Sequence, residues 1–351
     1  MTDFFHSIGL AEVVAGIIVV ALNAYVLMGG ADYGGGVWDL LASGPRRERQ
    51  RDLIASAIAP IWEANHVWLI VVVVMLFTAF PVAFGVFGTV LHVPLTLMLL
   101  GIVARGSAFV FRSYGAKHHT SRHRWGAMFA IASIVTPVVL GTILGAVASG
   151  RVGEASVLVG AASFADVYVK PWLAWFPLSV GLFALSLFAF LAAIYLTIEA
   201  KDDMLRQDFR MRALWAAGAV LVFAVIALLL AQAYAPRVAK GVTGSVWSWL
   251  LHACTAASAI TAIVALWRRR YHIARVAAGA QVSFILWGWA LSQYPYIVPD
   301  TLTIRATSAP SITLRLLLIG LGVGAAVLIP SLVYLFRTFA GRAAKGAGAS
   351  I

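Results

Sequence analysis

Residues 10–41 read LAEVVAGIIVVALNAYVLMGGADYGGGVWDLL, a run that contains no Lys or Arg. About 20 apolar helical residues cross a hydrocarbon core of about 30 Å, so this run is long enough to span a bilayer as one helix. Stretches of the same character recur between basic or Gly/Pro-rich punctuation: Ile54 to Phe80, Phe84 to Phe111, Trp125 to Ala148, Trp172 to Ile198, Ala213 to Tyr234, Trp247 to Trp267, Ile273 to Ile297 and Leu314 to Phe336. Composition agrees. Hydrophobic residues make up 62% of the 351 and charged residues 11%, against about 25% charged in an average soluble domain, which excludes a soluble enzyme or a disordered chain. The expectation is an all-α integral membrane protein of about nine transmembrane helices. One polytopic domain covers 1–340, and a short, disordered cytoplasmic tail covers 341–351.

Lys and Arg in short loops mark the cytoplasmic side of a membrane protein. Nineteen of the 26 follow the first, third, fifth, seventh and ninth stretches, six lie on the opposite side, and Arg105 alone falls inside a span. The N-terminus is therefore expected outside and the C-terminus in the cytoplasm. This asymmetry absorbs the net charge of +12, so no nucleic-acid partner is needed to explain it. No Lys or Arg precedes the first apolar run and no small-residue cleavage site follows it, which reads as a span rather than a removable signal peptide. Trp172, Trp175, Trp247, Trp249 and Trp267 stand near span ends, as an aromatic belt requires.

Asp32 in the first stretch, Glu63 in the second and Arg105 in the third are ionisable groups at membrane depth. There a charge costs several kcal/mol unless it is paired or faces a polar cavity. Asp32 is 14 residues before Arg46, Glu63 is 12 after Arg51, and Arg105 is 12 before Lys117. At 1.5 Å per residue all three lie roughly 18 to 21 Å from the basic clusters, hence at one level in the cytoplasmic half of the bilayer. Gly29, Gly30, Gly34, Gly35 and Gly36 surround Asp32 and allow close helix approach. Glu63 and His66, three apart in Trp62-Glu63-Ala64-Asn65-His66, share a helix face. Two readings stay open: a structural salt bridge that fixes helix packing, or a proton path in which Glu63 exchanges protons while Asp32 stays ionised beside Arg105. Asp39, Glu12 and Glu199, close to span ends, are expected to be solvated.

The sole cysteine, Cys254, excludes an intrachain disulfide, a Cys-based zinc site and a cysteine-ligated iron–sulfur cluster, and no metal site is expected. Of eight histidines only His66, His92 and His252 fall within spans. His66 and His92 differ in depth by roughly 7 to 8 Å on the helical rise, which disfavours a shared haem; packed, hydrogen-bonded histidines are expected, with a single-His haem ligand as the alternative.

In their order and spacing several segments resemble subunit II of the cytochrome bd-type quinol oxidases. They are Gly30-Ala31-Asp32-Tyr33-Gly34-Gly35-Gly36, Pro60-Ile61-Trp62-Glu63-Ala64-Asn65-His66-Val67-Trp68-Leu69, Phe80-Pro81, Arg105 with Phe111-Arg112, and Tyr195-Leu196-Thr197-Ile198-Glu199. Tyr294-Pro295-Tyr296, Thr301-Leu302-Thr303-Ile304, Pro330-Ser331-Leu332 and Tyr334-Leu335-Phe336-Arg337 complete the set. The resemblance implies two four-helix bundles plus one peripheral helix in a bacterial cell membrane. It further implies a heterodimer with a subunit I that carries haem b, haem d and the quinol site, while this chain ligates no haem. A small single-helix third subunit and quinone as bound lipid fall within the same family pattern. Oxidation of quinol and reduction of dioxygen to water would then draw protons through Asp32 and Glu63, with Trp62, Asn65, His66 and Arg105 supporting them. The chain departs from the usual pattern in a way that places it on a divergent branch. Gly29-Gly30-Ala31-Asp32 stands where Asp-Gly-Phe-Asp is common, Glu63 where Asp is common, and Val110 where an acid is common. Two other readings remain: a secondary transporter or channel with Asp32, Glu63 and Arg105 as its intramembrane site, and a purely structural respiratory subunit.

Overall fold

The structure, a computed structural model, describes residues 9–58, 62–112, 119–244 and 246–346. It consists of helices with one two-stranded hairpin. In chain order the helices are α1 (Leu10–Leu40), α2 (Arg47–Ile58), α3 (Trp62–Ala79), α4 (Pro81–Val90), α5 (His92–Val110), α6 (His119–Ala148), α7 (Arg151–Val157) and α8 (Phe164–Tyr168). Then come α9 (Trp175–Glu199), α10 (Asp203–Tyr234), α11 (Pro236–Thr243), α12 (Val246–Trp267), α13 (Tyr271–Gln293), α14 (Ile304–Thr307) and α15 (Ser311–Gly346). Eight helices are long and apolar enough to cross a membrane, and the bent pair of α3 and α4 makes a ninth candidate. The all-helical membrane architecture read from the sequence is therefore present.

Four boundaries fall elsewhere than expected. The stretch Ile54 to Phe80 is two helices, because Ile54 and Ile58 belong to α2, a polar helix that buries only Gln50, Ile54 and Ile58. Between α3 and α4 the chain turns by 118° at Phe80, where Pro81 lacks the amide that would continue the helix and pushes its predecessor out of the α region; Phe80 has φ −134°. The span that follows is α5, without Phe84 to Val90. At the other end of the chain α13 stops at Gln293 instead of Ile297, and Pro295 leads into strand β1 (Tyr296–Val298), which pairs antiparallel with β2 (Leu302–Thr303). α10 begins ten residues before Ala213, with the Asp202 carboxylate accepting from the Met204 amide at 3.1 Å as an N-cap.

Among the spans, α1 lies against α3 and α6, and α5 against α6; α9 lies against α10 and α13, and α12 against α13. The two groups meet where α9 packs on α1 and α6, while α15 packs mainly on α1 and α3 and turns Ile312, Leu316, Ile319, Val323 and Val327 outward. Close approach of α1 to α9 depends on Gly34, where a Cβ would stand 2.0 Å from the Phe188 carbonyl oxygen. The Trp38 indole N–H then donates to the Ala189 carbonyl at 2.8 Å, tying the same two helices four residues further on.

Ion pairs outside the core respect the two ends of the bundle. At the end where α1 starts, Glu12 pairs with Arg305, Asp166 with Lys170, and Asp300 with Arg237. Where α1 finishes, Arg46 pairs with Asp208 at 2.6 Å, Arg49 with Asp202 at 2.8 Å, and Arg206 with Asp203 at 2.8 Å. The Asp208 carboxylate, hydrogen-bonded to the Arg46 guanidinium, holds that group above its usual range. Gln50 joins the cluster by donating to Asp208 at 2.8 Å and accepting from Arg212 at 2.7 Å. Glu12, expected to be solvated, is thus held by Arg305.

Candidate functional site

Asp32 and Arg105 are 0% and 1% exposed. A guanidinium carries five N–H donors in a planar fork that matches a carboxylate, and here the fork is used throughout. Nη1 donates to Asp32 Oδ2 at 2.9 Å, Nη2 to Asp32 Oδ1 and, at 3.0 Å, to the Asp32 carbonyl, and Nε to Ser133 Oγ at 2.9 Å. Ser133 passes its own hydrogen to the Phe129 carbonyl at 2.7 Å. The rings of Tyr33 and Phe129 lie 4.8 and 4.9 Å from the guanidinium carbon, so aromatic quadrupoles supplement the carboxylate. Gly36 makes room for this: a Cβ there would stand 2.2 Å from the Ser133 side chain.

α3 closes the site. Asn65, 0% exposed, places Nδ2 3.5 Å from Asp32 Oδ2, and its Oδ1 is buried with no hydrogen-bond partner. The Tyr33 hydroxyl lies 3.3 Å from that of Tyr25 and 3.5 Å from His66 Nε2, so two phenols and an imidazole stand beside the ion pair. Of the residues singled out in the sequence, Asp32, Arg105 and Asn65 are therefore in contact, and His66 is one hydroxyl away. Trp62 and Glu63 lie at the start of α3, and their side chains fall outside the described residues.

A second ion pair stands two turns below the first. Asp39, 2% exposed, receives Arg112 Nη1 at 2.9 Å and Nη2 at 3.0 Å, and Arg51 Nε stands 3.9 Å from its Oδ1. Asp32 and Asp39 are seven apart on α1, as are Arg105 on α5 and Arg112 just past the end of that helix, so both pairs span the same 73 residues. The two rungs follow from one helix register, about 10.5 Å apart along the axis. Beside the second pair, Asp39, Ile54, Ala55, Phe109, Arg112 and Phe129 line a cavity of about 10 Å³, at the lower limit for one water. Phe129 both lines this cavity and flanks the Arg105 guanidinium.

Asp39 corrects the expectation of a solvated helix end. α2 folds back across the end of the bundle, and Arg51 and Ile54 cover the carboxylate. Asp39→Ala is expected to lower stability by about 1.5–3 kcal/mol, the range for hydrogen bonds to charged groups, seen as a lower thermal midpoint of the purified complex. An unchanged midpoint would show the rung to be structurally idle. Sequence reasoning also passed over Tyr25, Tyr33 and Ser133; the spacing of seven shared by the two acids and the two arginines was the available signal.

The span histidines do not converge. His92 lies 2.8 Å from the Thr89 carbonyl and edge-on to Tyr168, and His252 lies 2.8 Å from the Val242 carbonyl. Among the described residues no three His, Cys, Asp or Glu are grouped to hold a metal ion.

Comparison with known proteins extends the geometry to a family. A chain of Bacillus subtilis 168 described as a cytochrome bd menaquinol oxidase subunit II is 24% identical over 327 residues, covering 90% of this chain and 91% of the relative. Cytochrome bd-I ubiquinol oxidase subunit 2 of Escherichia coli K12 is 28% identical over 134 residues, 38% of this chain and 35% of the relative. The solved bd oxidase of Geobacillus thermodenitrificans superposes with a TM-score of 0.76 at 22% identity, covering 94% of this chain and 98% of that one. The sequence model of cytochrome bd terminal oxidase subunit II matches residues 10–339, which include α1, α3 and α5 with both rungs. With nearly the whole chain so matched, this protein belongs to the cytochrome bd terminal oxidase subunit II family.

Proposed function

We propose that this chain, as subunit II of a cytochrome bd-type quinol oxidase, supports a haem-bearing subunit I and brings protons to it from the cytoplasm. The N-terminus lies outside and the basic ends of the spans lie in the cytoplasm of a bacterial cell. Haem b, haem d and the quinol site belong to the partner, and this chain ligates no haem. A third, single-helix subunit and a structural quinone are compatible with this assembly.

The observation that carries the reading is the burial of two carboxylates, Asp32 and Asp39, at two depths of one helix, the first held by Arg105 of α5 and the second by Arg112 just past its end. Ionisable groups inside a membrane pair with one another and mark ion pathways. Asp32 is the fixed member: its side-chain oxygens face three N–H groups of Arg105 and Asn65, and this pairing orients the layer. Glu63, two residues before Asn65 on α3, is the exchanging member. Asn65 Oδ1 has unused hydrogen-bonding capacity, and Tyr33 and His66 stand beside the ion pair. The chain's part in the reaction is to accept, hold and release protons, while oxygen chemistry belongs to the partner.

Glu63→Gln tests this. It preserves size and hydrogen bonding but carries no exchangeable acid. The expected result is a complex that assembles with its haem-bearing partner yet consumes oxygen at one tenth of the wild-type rate or less, equivalent to about 1.4 kcal/mol of barrier. Undiminished oxygen consumption by the assembled complex would favour a purely structural role. The transporter reading requires a chain that purifies alone and colourless and carries substrate-dependent flux.

A further inference from the structure

At the end of the bundle where α1 starts, α6 stops, α9 begins and α10 stops around a cavity of about 240 Å³. Arg151, Trp175 and Tyr234 line it together with Leu173, Phe176 and Pro177. Arg151 is half-buried, and its guanidinium carbon stands 5.9 Å from the centre of the Tyr234 ring. Among the described residues no carboxylate lies within 4.0 Å of it, whereas Lys170, Arg237 and Arg305 of the same end are each neutralised by an acid. Lys240 and Arg315 are exposed. Arg151 is thus a partly desolvated cation with an aromatic face beside it and, among the described residues, no carboxylate within ion-pair distance, and a cation in that setting favours an anion.

Three features narrow the anion. The cavity is smaller than the roughly 300–1,000 Å³ that encloses a drug-sized ligand, so it takes a headgroup and leaves the remainder outside. Its rim is apolar and open, with Trp175 74% and Leu173 51% exposed, which suits a ligand whose tail continues along the helices at the level where Trp and Tyr sit in a membrane interface. The lining holds no carboxylate to receive an ammonium, which disfavours an amine-bearing zwitterion relative to a net-anionic headgroup. We propose that this cavity binds the phosphate of an anionic glycerophospholipid from the adjacent leaflet. Arg151 grips two phosphate oxygens through its fork, and Trp175 and Leu173 receive the first part of the acyl chains.

The test uses the delipidated oxidase complex titrated with dioctanoyl phosphatidylglycerol, dioctanoyl phosphatidylcholine or inorganic phosphate, with thermal midpoint and native mass spectrometry as readouts. The wild type should gain midpoint and retain adduct with phosphatidylglycerol alone. Arg151→Gln should weaken that binding at least about tenfold. Trp175→Ala alters a side chain 74% exposed on this chain; it should weaken binding about fivefold and decides the matter if Arg151→Gln fails to assemble. Equal binding of phosphatidylglycerol by wild type and either assembled variant overturns the proposal. So does an equal response to phosphatidylcholine, and a full response to inorganic phosphate would make the site one for free anions.

Discussion

Replacing Arg105 with Leu should cost about 3–5 kcal/mol, the penalty for leaving one partner of a buried ion pair without the other. The assembled complex should fall in yield and in thermal midpoint. The reason is local: Asp32 is wholly buried, and its remaining side-chain partner would be Asn65 at 3.5 Å. Ser133 would keep only its bond to Phe129, and the two flanking rings would lose the cation between them. The double replacement Asp32→Leu with Arg105→Leu removes both charges, and a buried pair exchanged for apolar groups is often neutral in stability. The double variant should therefore regain most of the midpoint lost by the single one, and by the account above it should not regain full oxidase activity. Equal destabilisation of single and double variants would show that the cost came from packing and not from an orphaned carboxylate.

Gly34→Ala should be nearly as damaging, about 3 kcal/mol, at the upper end of the range for overpacking. The new Cβ would meet the Phe188 carbonyl oxygen at 2.0 Å and carbon at 2.5 Å, and Ala192 Cβ at 2.7 Å. Backbone cannot move aside as a side chain does, so α1 would have to separate from α9 and the Trp38 bond to Ala189 would lengthen. Gly279→Ala is the control: its Cβ would find only Leu27 Cδ2 at 3.9 Å, and the midpoint should stay within about 0.5 kcal/mol of wild type, as substitutions away from special features do. If both variants behave alike, the contact between α1 and α9 is looser than these distances state.

The spans were legible because apolar runs of about 20 residues have few other uses. Their ends were less so. Hydropathy could not distinguish Ile54 and Ile58, which face inward from a helix lying along the end of the bundle, from the start of a span. It also passed over the turn at Phe80, since Pro81–Val90 is as apolar as the helix before it. Counting residues from the basic clusters correctly put Asp32 and Arg105 at one depth, because both helices rise by the same step per residue. The same counting treated Asp39 as solvated, since distance along a helix carries no information about what folds over its end. Asp208 and Gln50 illustrate the same gap. Their cluster joins α2 to the start of α10 across more than 150 residues, and no local pattern announces such a meeting.

On the proposed function, the buried layer on α1, α3 and α5 conducts protons inward to the partner and does more than hold helices together. Proton uptake during a single turnover tests it most directly. The pre-reduced complex, in vesicles with its cytoplasmic face toward a pH indicator, is mixed with oxygen, and proton disappearance is timed beside oxygen binding. Glu63→Gln should leave oxygen binding unchanged and slow proton uptake about tenfold or more. Uptake at the wild-type rate in a fully assembled Glu63→Gln complex would contradict it.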